Sequence, residues 1–247
     1  MIRLDRWLTA LALGSRTQTQ KLIRSGRVAV NGAPARDPAL HCDPEQSSLA
    51  LDGQAIDGRL MRHVLLHKPA GLLTAARDPK QPTVMSLLPP VYAGLGCMPV
   101  GRLDKDTTGV LLLTCDGTLA HRLLSPERHV EKVYRARVDA PLEPWMTEAF
   151  AAGLSLGDFT AQSARLEIGP DPLEGRLTLR EGKFHQVKRM FAAVGREVQA
   201  LHRERFGPLT LGDLPCGGWR ELEPAEVLAL RDAVNMSADG GEGKPDE

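Results

Sequence analysis

Aromatic residues make up only 4% of the 247 residues, with two tyrosines among them. So few rings leave the core to aliphatic side chains, and each tyrosine stands out. Cysteine is scarce as well. Cys42, Cys97, Cys115 and Cys216 show no CxxC spacing, which argues against a zinc site or a disulfide framework and for a reducing cytosol. No apolar run approaches the ~18 residues of a membrane span, and the opening MIRLDRWLTA lacks the unbroken apolar core of a signal peptide. Net charge is missing too, with 31 basic side chains against 31 acidic ones. What remains, 42% hydrophobic and 25% charged, is an ordinary globular composition, long enough for one or two domains with a sizeable core.

The zero net charge hides a segregation. Residues 1–36 carry seven basic side chains, among them Arg3, Arg6, Arg16, Lys21, Arg24 and Arg27, against Asp5 alone. Residues 37–60 are acidic, and residues 183–206 are basic again, with Lys188, Arg189, Arg203 and Arg205. Two basic patches on a neutral chain suit a polyanion gripped at chosen places.

The chain is organised around residues 99–117, PVGRLDKDTTGVLLLTCDG. Asp104 and Asp106 lie between Arg102, Lys105 and the hydroxyls of Thr107 and Thr108. Residues 110–114 then form an apolar run of the kind that fills a buried strand. A charge-dense loop feeding a core strand holds a reactive side chain still. An EF-hand is a poor match, because its twelfth position falls on Cys115 instead of a bidentate Glu. The DxDxT loop of haloacid-dehalogenase-like phosphatases is also poor, because that loop follows its strand and this one precedes it. A bare salt-bridged surface turn is the plain alternative.

Leu4, Leu8 and Leu11 recur at helical spacing beside Trp7, and Gly14 is placed to end that helix in a left-handed conformation. Ser15 with Gln18 makes a capping box for a second, polar helix, and Asn31-Gly32 is a hairpin turn. Further strands are expected over 64–67, 132–138, 161–168 and 176–180, and a helix over 141–154. Val187, Met190, Phe191 and Val194 form a second helical stripe capped by Gly195.

Two short helices, the second basic, are compatible with a helix-turn-helix DNA reader. The closer likeness is to the S4-type RNA-binding module, through LDRWL at 4–8, Ser15-Arg16 and LIRSGRVAVNG at 22–32. GRLDKDTTG at 101–109 resembles the catalytic motif of the pseudouridine synthases that modify ribosomal RNA. HKPAG at 67–71, the loop 78–84, KVY at 132–134, EGKFHQVKRMFAAVG at 181–195 and LHRERFG at 201–207 resemble further elements of that family, in order. His67, Lys183 and Phe184 depart from its usual Asn, Arg and Tyr.

The resemblance implies an α+β fold. A small S4-like domain (residues 1–60) would precede a catalytic domain (61–231) whose mixed, largely antiparallel sheet is flanked by helices, followed by a disordered acidic tail (232–247). It implies isomerisation of a uridine without metal or cofactor. Asp104 would be the catalytic carboxylate, Lys188 its cationic partner, and Tyr134 the ring that stacks on the uracil. Arg102 would contact RNA phosphate or brace the loop. DTTG and LHRER are most similar to the branch acting on uridine 516 of 16S rRNA. The implied partner is 16S rRNA or a small-subunit assembly intermediate, met by a cytoplasmic monomer with no membrane contact. A large-subunit target, or an assembly factor without chemistry, are the rival expectations.

Overall fold

The apolar stripe at 4–11 and the polar run after it fold as two short helices packed on each other. In the computed structural model, which describes residues 1–128 and 130–236, β1 (Ile2–Arg3) leads into α1 (Leu4–Ala10), and α2 (Arg16–Arg24) follows. Leu4, Trp7, Leu8 and Ile23 are fully buried. The capping box forms: Ser15 N donates to Gln18 Oε1 at 2.8 Å, and Gln18 N to Ser15 Oγ at 3.4 Å. The end of α1 differs from expectation. Leu13 N bonds Leu8 O and Ala12 N bonds Thr9 O, a Schellman pattern that puts Ala12, not Gly14, in the left-handed conformation at φ 58°.

The hairpin of β2 (Val28–Val30) and β3 (Ala33–Pro34) turns on Asn31 and Gly32, both at positive φ. Strand β4 (His41–Cys42) pairs with β1. Strands β5 (Leu49–Leu51) and β6 (Gln54–Ile56) complete a small sheet in the order β3-β2-β5-β6. Trp7 Nε1 closes the unit by donating to Gly58 O at 2.8 Å.

The rest of the described chain supplies β7 (His63–Lys68), α3 (Pro90–Gly94), β8 (Met98–Pro99), β9 (Thr108–Thr114), α4 (Gly117–Leu124), β10 (Lys132–Val138) and α5 (Pro144–Ala152). It continues with β11 (Arg165–Ile168), β12 (Glu174–Leu179), α6 (Gln186–Ala193), β13 (Val198–Phe206), β14 (Leu209–Thr210), β15 (Trp219–Glu221) and α7 (Pro224–Asp232). Among the described residues these strands make one nine-stranded sheet, β11-β12-β10-β13-β9-β7-β15, with β14 on β13 and β8 on β9. Strand β13 runs parallel to β9, while the β11/β12, β12/β10, β10/β13 and β7/β15 pairs are antiparallel. The fold is thus α+β with a mixed, largely antiparallel sheet. Val110, Leu112, Leu119, Leu123, Phe206 and Leu230 form its aliphatic-rich core, and Phe150 of α5 meets Phe191 of α6 with ring centroids 5.2 Å apart.

Two compact units emerge, and the first is not continuous in sequence. It comprises Met1–Arg62 together with Leu88–Met98 and Thr114–Asp116, because Val91 and Leu95 pack on the core of Leu4, Trp7 and Leu8. The expected boundary at 60 therefore misses two segments. The expected tail from 232 also begins too early, since Val234 is fully buried in the core of the larger unit and Met236 packs against it. Residues 237–247, the remainder of the expected acidic tail, lie outside the described residues. The strand expected from 161 starts at Arg165, because Ala161 N and Ala164 N are drawn off to Leu154 O and Phe150 O. Among the described residues no helix is long and apolar enough to cross a membrane.

Candidate active site

The GRLD loop hangs between two paired strands. Val100 N donates to Leu112 O at 2.8 Å, so residues 101–107 leave and re-enter the sheet at fixed points. Inside the loop, Thr107 N donates to Asp104 O at 3.1 Å. Thr74 Oγ1 donates to Leu103 O at 2.7 Å, and Gly71 N to Lys105 O at 2.8 Å. The fully buried Lys68 gathers the rest. Its Nζ donates to Pro69 O at 2.9 Å, Lys105 O at 3.2 Å and Thr107 O at 2.9 Å. Burial pushes this ammonium down to about 8, while the charges of Asp106 and Asp104 pull it back up. The sequence offered a signal for Lys68 in the KP step that ends β7, but gave it no role.

The 78–84 loop is a brace without a nucleophile. Asp78 Oδ1 accepts from Lys80 N and Gln81 N, and Gln81 Oε1 accepts from Lys105 Nζ at 2.8 Å. His67, in the place of the usual Asn, keeps Nδ1 2.9 Å from Leu214 O.

Asp104 is half-buried and meets two residues of the α6 region. Lys188 Nζ is 3.5 Å from its Oδ2, and His185 Nε2 is 3.4 Å from its Oδ1. Lys188 is nearer to Asp106, at 2.7 Å from both carboxylate oxygens, and that contact holds the Asp106 carboxyl below its usual range. The expected pairing of Lys188 with Asp104 is therefore shared, with Asp106 as the closer partner. His185 has a left-handed backbone at φ 49° as the cap of α6, and sequence reasoning assigned it nothing.

Tyr134 lies on β10 between Leu177 of β12 and Arg203 of β13, and Arg203 in turn is opposite Gly109 of β9. The tyrosine is buried but borders two adjoining hollows with Arg102. One is a pocket of about 60 Å³ that holds Asp104, His185 and Lys188. The other is a cavity of about 290 Å³, close to the ~300 Å³ at which small-molecule sites begin, lined by Lys132, Arg180, Lys183 and Arg203. Burial lowers the Lys132 ammonium to about 8.

The basic residues divide. Arg6, Arg16, Lys21 and Arg24 are exposed on the small unit. Arg3 is held by Asp5, and Arg27 by Asp52 at 2.7 and 2.5 Å. Arg189 is tied to Leu156 O and Asp158, and Arg205 to Glu131 at 3.0 Å. Arg203 corrects the expectation of a surface RNA contact. The alternation of β13 turns it inward, leaving it 2% exposed, with Nε donating to Val110 O at 2.7 Å. Among the described residues no group of three His, Cys, Asp or Glu side chains is placed to hold a metal ion.

A family model described as RNA pseudouridylate synthase matches residues 62–193, and an S4 domain model matches residues 2–47. The chain belongs to the RNA pseudouridylate synthase family. A protein of Pseudomonas aeruginosa named ribosomal small subunit pseudouridine synthase A is 41% identical over 239 residues, covering 93% of this chain and all of the relative. The Escherichia coli K12 protein of the same name is 40% identical over 235 residues, with the same coverage. A solved pseudouridylate synthase superposes with a TM-score of 0.64 at 33% identity, spanning 93% of this chain and all of the other. The residues matched by the synthase model, 62–193, include the GRLD loop, β10 and α6.

Proposed function

We propose that the protein isomerises one uridine of small-subunit ribosomal RNA to pseudouridine, uridine 516 of 16S rRNA, on the free RNA or an assembly intermediate. The observation that carries this reading is the near full-length likeness to two relatives named for the small subunit. The reaction breaks the N1–C1′ bond, turns the uracil and joins C5 to C1′, with the C5 proton lost and one proton taken up at N1. Asp104 is the carboxylate that acts at the sugar, by attack at C1′ or by removing the C2′ proton. Lys188 and Lys68 set positive charge beside it, and the Lys68 bonds keep the loop from shifting. Tyr134 gives the uracil a ring to lie against, and its phenol is the candidate acceptor of the C5 proton.

Before any of this, the base has to leave its stack, which costs a few kcal/mol. Contacts to phosphate from Arg6, Arg16, Lys21 and Arg24 on the S4 unit, and from Arg102 at the pocket, offset that cost. A cytoplasmic monomer acting on RNA fits this reading.

Carbodiimide mapping of 16S and 23S RNA after incubation with the purified protein tests it. One new stop at uridine 516 is expected, and Asp104→Asn should bind the same RNA and give none. A stop only in 23S RNA would overturn the substrate assignment. A stop surviving in Asp104→Asn would move the chemistry out of Asp104.

A further inference from the structure

We propose that Phe184 and His185 form a stacking platform for an unpaired base of the substrate RNA, the neighbour of the target uridine. The inference rests on the pseudouridine reading and assigns a second base-binding position beside it. Phe184 is 71% exposed, whereas Phe150, Phe191 and Phe206 are buried in the core. Single exposed apolar side chains are common and carry no meaning alone. Phe184 differs because one face of its ring is already used. It lies on the His185 imidazole with centroids 3.8 Å apart and planes 19° apart, which leaves the opposite face to solvent.

The pair is held in place rather than swinging on a loop. Lys183 N donates to Gln186 Oε1 at 2.8 Å, Gln186 Nε2 donates to Glu181 Oε1, and Gln162 N reaches the same oxygen at 2.7 Å. Lys183 Nζ lies 3.7 Å from the centre of the Phe159 ring, which fixes the residue just before Phe184. His185 caps α6 from its left-handed conformation and directs Nε2 to Asp104 at 3.4 Å. The open ring face is therefore two side chains from the reacting carboxylate. A preorganised ring binds a flat partner at little ordering cost.

The surroundings select the occupant. Arg102, Lys183 and Lys188 line the Asp104 pocket that His185 also borders, a cationic surround that suits an RNA strand. Any base offers a π-face to an aromatic ring, so the contact is strong without reading sequence. When the uridine leaves the RNA stack, its neighbour loses a partner, and the exposed face of Phe184 replaces it.

The test uses the full chain and a 16S rRNA fragment spanning uridine 516, with 2-aminopurine at the 5′ or the 3′ neighbour. In the Asp104→Asn protein, binding should quench the probe at one of the two positions. Adding Phe184→Leu should abolish that quenching and weaken binding by about 5- to 150-fold, and Phe184→Tyr should restore both. In the protein with Asp104 intact, Phe184→Leu should raise KM with little change in kcat. Unchanged quenching and KM in Phe184→Leu would overturn the proposal. Quenching that depends on Phe184, on an RNA that gains no pseudouridine, would support the platform while sinking the reaction assigned to this RNA.

Discussion

Lys188 Nζ sits 2.7 Å from both carboxylate oxygens of Asp106 and 3.5 Å from Oδ2 of Asp104, so one ammonium serves two carboxylates. Asp106 is largely exposed and Asp104 is not, which divides their roles. On the proposed reaction, the outer carboxylate would orient the lysine and the inner one would act at the sugar. Lys188→Met should lower kcat by about 100-fold or more, the loss typical of removing one electrostatic contact to a reacting group. Asp106→Ala should cost less than about 10-fold, because Lys188 can settle on Asp104. Single-turnover rates on the rRNA fragment measure both, and equal losses would refute the division.

Gly109 is required where the loop enters β9. It has φ 114°, and a Cβ there would lie 2.2 Å from the backbone oxygen of Arg203 on the parallel neighbour. Gly109→Ala should cost about 3 kcal/mol or more, a drop in Tm of roughly 6–12 °C. A thermal melt checks this, and a variant as stable as the parent would show that β13 gives way more easily than its central position suggests.

Local patterns were legible in the chain. The spacing of Val187, Met190 and Phe191, the Ser15/Gln18 box, the Asn31-Gly32 turn and the strand at 132–138 are each set by neighbours within a few residues. Pairings made across long stretches of sequence were not legible. Arg203 reads as one more basic residue until β13 is laid beside β9, which brings it opposite Gly109 and turns it inward. Lys68 stands in the HKPAG element without an assigned role until the loop it bonds is folded over it. Ala12 takes the left-handed cap because α1 stops at Ala10, and the register of that cap outweighs the freedom of Gly14. The segments Leu88–Met98 and Thr114–Asp116 join the first unit through packing that no composition shift announces.

Asp5 is the one acid in a basic segment, and it is buried. Arg3 donates to it at 3.0 and 2.9 Å, Arg6 N at 2.9 Å, and Gln20 Nε2 reaches across from α2 at 3.0 Å. The bonds from Arg3 hold its carboxyl far below the usual range, against the opposing effect of burial. A depressed folded value means that the stability it contributes is present above the unfolded value near 3.8 and is lost as pH falls below it. Asp5→Asn should destabilise the first unit by about 1–3 kcal/mol at pH 7 and flatten its acid dependence. Denaturant melts of the parent and variant followed from pH 7 down to pH 2 read this, and a variant with the parent's acid dependence would place the titrating group elsewhere.

Lys68 gives the site an alkaline limit of its own. Its ammonium is lowered by burial from 10.5 to about 8. Between those values the unfolded chain holds a proton that the folded chain does not, so this group makes stability rise with pH over that window. Activity should move the other way. Loss of the proton removes the charge beside Asp104 and Asp106 and weakens the bonds to Lys105 O and Thr107 O that shape the loop. The rate should therefore fall with a midpoint near pH 8 without a matching fall in Tm. Lys132, in the adjoining cavity, is also lowered to about 8, so Lys132→Met separates the two. A limb that persists in that variant belongs to Lys68. A limb that disappears with Lys132 would assign the titration to the cavity, and the Lys68 ammonium would then be a structural brace whose charge the reaction does not use.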